Sequence, residues 1–279
     1  MGSIKKYKKL YYNIMKIFLV GDIGAYNNIT KKIFKNIKET QDTDDTLLIL
    51  GDNFYPYGIN SDDDKNWNHY INLNNKLKTY CILGNHDYLG NVKSQINYKL
   101  NNWYMEGHYY KKTIEKYDIF FLDTSILVPN YSNLNYNIVK SKINKEPLNE
   151  SLVILNWLSE ELEKSNNYKI VVGHYPIVSF GMYGLNKTLF EILFPIFKQY
   201  DVKCYISGHD HNLQIIDIET KDYSFKQIVS GASSSIYPIL KNVSEKVFSE
   251  NGYIYIDTYD NTINIMNIDN KMIYQDKLL

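Results

Sequence analysis

The 279-residue chain contains no arginine: all 31 of its basic side chains are lysine, and 31 acids balance them to a formal net charge of zero. A nucleic-acid binder usually carries a basic excess that neutralises phosphates, so this balance excludes nucleic acid as an expected partner. Without a guanidinium, no phosphate can be held here by a planar bidentate fork. Cysteine is nearly absent too. Cys81 and Cys204 sit inside apolar runs and read as buried reduced thiols, which excludes a disulfide scaffold and a thiolate metal site. No apolar run reaches the ~18 residues that a membrane span needs. Proline, glycine and serine never cluster into a linker, so one domain over residues 15–279 is expected, behind a basic tail over residues 1–14. Asn13 and Lys16 interrupt any signal-peptide-like apolar stretch near the start. Cleavage after Val20 would also come too close to Asp22, so a cytoplasmic protein is the expectation from these residues.

What the chain has instead is a repeated local pattern. KIFLVGD (16–22), TLLILGD (46–52), YCILGNHD (80–87), IFFLDTS (119–125), KIVVGHYP (169–176) and KCYISGHDH (203–211) are all apolar runs that end in a polar turn. Strands covered on both faces read as such unbroken runs. Helical candidates lie between them at residues 29–39, 92–101, 151–164 and 187–200. Leu155, Leu158 and Leu162 share one face of the third, and Pro195 falls inside the fourth. After His211 the character changes: LQIIDIE, FKQIVSG, YIYIDTY, TINIMNI and KMIYQDK read as successive antiparallel strands. The expected fold class is α/β, a four-layer sandwich of two packed mixed β-sheets flanked by α-helices. Residues 128–149 are polar and irregular and read as a long surface loop.

The strand ends carry the chemistry. They read GD at 21–22, GD at 51–52, GNHD at 84–87, GH at 173–174 and GHDH at 208–211. Glycine lets the backbone leave a strand sharply, and in open α/β sheets ligands bind outside the carboxyl ends of the strands. One such pair means nothing, because any loop can supply it. Five in series bring Asp22, Asp52, Asn85, His174, His209 and His211 toward one place. Carboxylate, amide and imidazole without thiolate suit iron, zinc or manganese, and there are donors enough for two ions. Two ions sharing a carboxylate are a common device for phosphoryl hydrolysis.

The set GDIG, GDNFYPYG, GNHDYLGN, GHYP and GHDHNLQ resembles the purple acid phosphatases among the calcineurin-like metallophosphoesterases, most closely their small tartrate-resistant, mammalian type. The resemblance covers residues 16–257. It implies a monomeric acid phosphatase acting on small phosphomonoesters or phosphoproteins, with a metal-activated hydroxide attacking phosphorus. Asp22, Asp52, Tyr55 and His211 would hold the first ion, ferric iron, with a coloured phenolate. Asp52 would bridge to a second ion, iron(II), zinc or manganese, held by Asn85, His174 and His209. The chain has 27 tyrosines, so an isolated one would be packing, but Tyr55 lies at the family's offset from Asp52. His86 is expected to contact phosphate and assist the leaving group. Asp87 and Asp210 are expected to orient histidines. The family resemblance points to a secreted or lysosomal protein, in tension with the N-terminal residues. A phosphodiesterase or nucleotide pyrophosphatase on the same fold, or a non-catalytic iron-binding protein, stays open.

One departure from the family stands out. Mammalian-type members carry a further active-site histidine shortly after the GHYP motif, and here the matching position falls near Tyr183. A phenol is a weaker acid than an imidazolium, which puts the range of leaving groups in doubt. His69 and His108 read as structural. The stretch 128–149 lies where those members carry a loop that covers and represses the site.

Overall fold

The computed structural model describes residues 15–131, 134–240 and 246–278, so the expected tail over residues 1–14 lies outside it. In chain order the strands are β1 (Lys16–Val20), β2 (Thr46–Ile49), β3 (Lys78–Cys81), β4 (Trp103–Tyr104), β5 (Tyr109–Ile114), β6 (Tyr117–Leu122) and β7 (Tyr168–Val172). They continue with β8 (Cys204–Ser207), β9 (Leu213–Glu219), β10 (Ser224–Ser230), β11 (Val247–Phe248), β12 (Gly252–Asp257), β13 (Thr262–Asn267) and β14 (Met272–Lys277). The helices are α1 (Asn28–Thr40), α2 (Trp67–Ile71), α3 (Val92–Asn97), α4 (Thr124–Leu127), α5 (Tyr136–Lys142), α6 (Pro147–Lys164) and α7 (Lys187–Tyr200).

Two mixed sheets result, flanked by helices. The first runs β14-β13-β12-β1-β2-β3-β4 and the second β11-β9-β10-β8-β7-β6-β5. Each has a parallel heart: β1 to β4 in one, and β6, β7, β8 and β10 in the other. The residues of β2, β6 and β8 are buried throughout, which is why their sequences show no polar alternation. The strands after His211 do not form one antiparallel run. β9, β10 and β11 complete the second sheet, with β10 parallel to β8. The chain then crosses back, and β12 pairs antiparallel with β1.

The helices bury stripes spaced four residues apart. In α6 these are Ile154, Leu158 and Leu162, all fully buried, whereas Leu155 sits on the half-buried flank. In α7 they are Leu189, Leu193 and Phe197, and Pro195 lies outside that stripe. Asparagines start several helices: the Asn27 side chain accepts from the backbone of Ile29 and Thr30, and Asn186 accepts from that of Leu189. Two expected boundaries move. α3 ends at Asn97, because Tyr98 turns to extended backbone and stacks its ring on Trp67 at 3.5 Å. The stretch 128–149 is not a continuous loop. Asn135 caps α5, which buries Val139, and Pro147 opens α6 four residues earlier than the expected start at 151. A helix of seven residues offers too few turns for a periodic signal.

Asp118 ties this framework together beneath α6. It accepts from Thr113 Oγ1 at 2.6 Å, Ser165 Oγ at 2.7 Å, Lys111 Nζ at 3.1 Å and Asn167 Nδ2 at 3.2 Å. Burial alone would raise its pKa, but these donors outweigh burial and hold it down at about 2. A depressed carboxyl stabilises the fold above its unfolded pKa of roughly 3.9, and that contribution fades as pH falls toward the folded value. Asp118→Asn should therefore cost about 2–4 kcal/mol at pH 7. The gap to the parent chain should narrow between about pH 4 and about pH 2. Thermal denaturation across that range measures both, and a gap independent of pH would contradict the assignment.

Candidate metal centre

Five parallel strands deliver their carboxyl ends to one edge of the sandwich. Asp22 follows β1, Asp52 follows β2, Asn85 and His86 follow β3, His174 follows β7, and His209 to His211 follow β8. Asp22, Asp52 and His209 all take left-handed backbone, with φ of 60°, 53° and 67°. Side chains rarely accept that conformation, and such strain concentrates at functional sites. At Gly84 any Cβ would come within 2.2 Å of Asp52 Oδ1, so only glycine lets that strand end pass the carboxylate.

The donor atoms fall into two sets that share Asp52. Tyr55 Oη lies 3.0 Å from Asp22 Oδ1, 3.1 Å from Asp52 Oδ2 and 3.1 Å from His211 Nε2. His211 Nε2 is in turn 3.3 Å from Asp22 Oδ1. On the other side, His174 Nε2 lies 3.4 Å from Asp52 Oδ1, 3.2 Å from Asn85 Oδ1 and 3.2 Å from His209 Nδ1. Asp52, His174 and His209 alone present ligand atoms within 4.8 Å of one another. Each oxygen of Asp52 thus faces a different set.

The electrostatics show what the pocket lacks. Asp22 is 0% exposed and Asp52 2%, and the ion-pair partners of both are histidines. No lysine pairs with either among the described residues. Buried carboxylates are costly without a compensating positive charge. The Tyr55 phenol responds: burial first, then the Asp22 and Asp52 carboxylates, push its pKa well above the usual phenol range. Burial disfavours the His211 imidazolium, yet Asp22 outweighs it and raises the pKa. His209 goes the other way, well below the usual range, through burial and then the neighbouring His174. Oxygen and imidazole donors around uncompensated negative charge are a fit for transition-metal cations.

The surroundings fix these donors. His174 Nδ1 lies 2.7 Å from the Leu50 carbonyl and therefore carries the proton there, which leaves Nε2 free to ligate. His211 Nδ1 bonds Ser235 Oγ. The backbone N–H of His209 donates to Asp22 Oδ2 at 2.8 Å, and that of His86 to Asp52 Oδ1 at 2.9 Å. Asp87 and Asp210 do not act as expected from the sequence. Asp87 accepts from the backbone of Gly84 and Asn53 and from Gln95 Nε2. Asp210 accepts from Ser179 and Asn212. They brace the loops that carry the donors, while the rings of His86, His174 and His211 bond a carbonyl or a hydroxyl elsewhere.

Tyr183 stands beside His209, with ring centroids 4.1 Å apart. His86 is the accessible histidine of the group: its side chain is 37% exposed, and its Nε2 lies 4.0 Å from Asp52 Oδ2. His69 stacks on Tyr26 and His108 bonds Asp123, so the structure gives both a packing role. Sequence reasoning missed Ser235 and Tyr237, from the loop after β10. Tyr237 stacks flat on His211, at 4.2 Å and 6°. For Ser235 the signal was present in IVSGASSS, a fully buried strand end passing through glycine into small polar residues.

Residues 15–213 match the family described as calcineurin-like phosphoesterase. The chain is similar to tartrate-resistant acid phosphatase type 5 of Mus musculus, 31% identical over 86% of this chain and 78% of that protein. It is also similar to purple acid phosphatase 7 of Arabidopsis thaliana, 29% identical over 77% of this chain and 72% of that one. Among solved structures it superposes on Plasmodium GAP50, described as the anchor in the inner membrane complex. That match has a TM-score of 0.73 at 23% identity, covering 94% of this chain and 88% of the other.

If Ser235 orients His211, Ser235→Ala should weaken metal retention by about 10–100-fold in a chelator competition. His69→Ala should leave metal content unchanged. Equal loss in both variants would show that the serine has no special part.

Proposed function

This chain belongs to the calcineurin-like phosphoesterases, on the purple acid phosphatase branch, and we propose that it hydrolyses phosphate monoesters in acid through a two-metal form of this centre. The family makes it a metal-dependent phosphoesterase and acid phosphatase. The binuclear form rests on one observation: the two oxygens of Asp52 face separate donor sets, 3.1 Å from Tyr55 Oη and 3.4 Å from His174 Nε2.

Asp22, Asp52, Tyr55 and His211 would hold one ion, and Asp52, Asn85, His174 and His209 the other. Bound there, the ions supply Lewis acidity that draws in phosphate and acidifies water. Burial and then two carboxylates raise the Tyr55 phenol above its ordinary range, and a trivalent cation displaces a phenolic proton more readily than a divalent one. This favours ferric iron in the first set. Iron(II), zinc or manganese would suit the second.

His86 supplies the acid. Its Nδ1 lies 2.8 Å from the Pro56 carbonyl and donates to it, which leaves Nε2 toward the pocket. Once protonated there as well, it can pass that proton to the ester oxygen as the bond breaks. Tyr55 holds the ring edge-on, with centroids 4.7 Å apart. The donor set lacks no member, which weighs against a vestigial site.

Iron-loaded protein should absorb in the visible, and Tyr55→Phe should remove that band. His86→Ala should keep colour and metal content but lower kcat on p-nitrophenyl phosphate by about 10²–10⁴-fold. The optimum should lie below pH 7. A colourless loaded protein or an alkaline optimum would overturn the ferric assignment.

A further inference from the structure

The end of β6 supplies no metal donor, yet it touches both segments that bring Asn85 and His174 together. Asp123 and Thr124 follow that strand directly. Thr124 Oγ1 accepts from the backbone N–H of His174 at 3.2 Å and from that of Tyr175 at 3.0 Å. Asp123 Oδ2 accepts from Tyr88 Oη at 2.7 Å, and Tyr88 stands on the same turn as Asn85 and His86. The same carboxylate oxygen lies 2.8 Å from His108 Nδ1. His108 immediately precedes β5, the antiparallel neighbour of β6, and its carbonyl accepts from the Asp123 N–H at 2.8 Å. Asp123 is 1% exposed and Tyr88 0%, whereas the His108 side chain is 19% exposed. Among the described residues no lysine pairs with Asp123. Burial and then the Asp123 carboxylate push the Tyr88 phenol well above the ordinary range, so it keeps its proton and donates.

We infer that His108 and Asp123 are positioning residues: together they clamp Tyr88, fix the turn on which Asn85 and His86 stand, and so set the aim of His86. The inference rests on the monoesterase reading above and names residues that serve it from outside the cleft. The turn is short, a single 3-10 turn over Asp87–Leu89. Asp87 ties it to Gly84 and Asn53, within the first sheet's own loops. Tyr88 ties it to the second sheet, through Asp123. Asn85 and His174 come from different sheets and meet at 3.2 Å. Adjacent residues of one strand end, Asp123 and Thr124, thus hold both sides of that meeting. A buried carboxylate held by a phenol and an imidazole is a costly filling for a strand end that apolar side chains could fill. Fully satisfied networks of this kind specify one geometry more than they add stability. Proton transfer needs that geometry, because a displacement of about 1 Å can cost about a hundredfold in rate. Without the His108 ring, Asp123 loses a donor and opens toward water, and its hold on Tyr88 loosens.

Amide hydrogen exchange followed by mass spectrometry reads the clamp without any turnover. In metal-free His108→Ala, residues 84–92 should exchange at least about tenfold faster than in the parent chain, with β2 and β7 unchanged. His108→Asn, whose side-chain N–H can stand in for Nδ1–H, should restore slow exchange. In metal-loaded protein, His108→Ala should lower kcat about tenfold on p-nitrophenyl phosphate and about a hundredfold on phenyl phosphate. The second ester has the less acidic leaving group and draws more on His86. KM should change less than about threefold, and His108→Asn should recover both rates. Unchanged exchange over residues 84–92 overturns the inference. An equal loss of kcat on the two esters does so too, because His86 would then have kept its aim. If the alanine variant fails to fold, Tyr88→Phe, which removes one hydroxyl, decides by the same readings. Faster exchange in a protein whose parent chain hydrolyses no monoester would leave the clamp standing and remove the phosphatase reading.

Discussion

Everything in this molecule turns on two carboxylates stripped of water and given no lysine to answer them. Asp22 and Asp52 are buried where the two sheets meet, and their neighbours are histidines, a phenol and backbone N–H groups. Such charge density opposes folding unless a cation enters. The site therefore couples the fold to its metal, and affinity is generated by the same burial that makes the empty arrangement costly. The missing arginines sharpen the effect: with no guanidinium in the chain, the recognition of phosphate would fall to bound metal.

The sandwich makes this arrangement possible by directing parallel strands of two different sheets at one edge. The carboxylates then act as cross-links. Asp22 leaves the first sheet and accepts from the backbone of His209 in the second, while the ring of His174, from the second, donates back to Leu50 in the first. The left-handed turns at Asp22, Asp52 and His209 are the local cost of pointing side chains inward at once. Asp87 and Asp210 hold those turns from behind, through backbone amides and small polar side chains.

Much of this was legible in the sequence, and the reasons are physical. Strands buried on both faces leave unbroken apolar runs, and a glycine followed by a donor marks where each ends. That pattern was enough to expect two sheets and to bring Asp22, Asp52, Asn85, His174, His209 and His211 together, whereas Tyr55 joined them only through the resemblance to the family. What did not show was anything set by contact across the chain. The stripe on α6 passes through Ile154 rather than Leu155, a difference of one residue that only the partner surface decides. α5 was too short to be periodic. Asp87 and Asp210 carry the right chemistry for holding imidazoles, but the rings had found Leu50, Ser235 and Pro56 first. Tyr237 gave no sign, because stacking on a histidine leaves no trace in spacing.

The return of the chain from the second sheet to the first has a kinetic meaning. β1, which carries Asp22, obtains its second neighbour from β12, more than two hundred residues later. During synthesis the first sheet must therefore wait with an open edge beside the strand that carries Asp22 until residues 252–257 have been made. Pairings that span so much chain form slowly and late. Emergence of β12 thus sets the earliest moment at which the first sheet can close around β1, and cation capture by a nascent chain would be delayed until then.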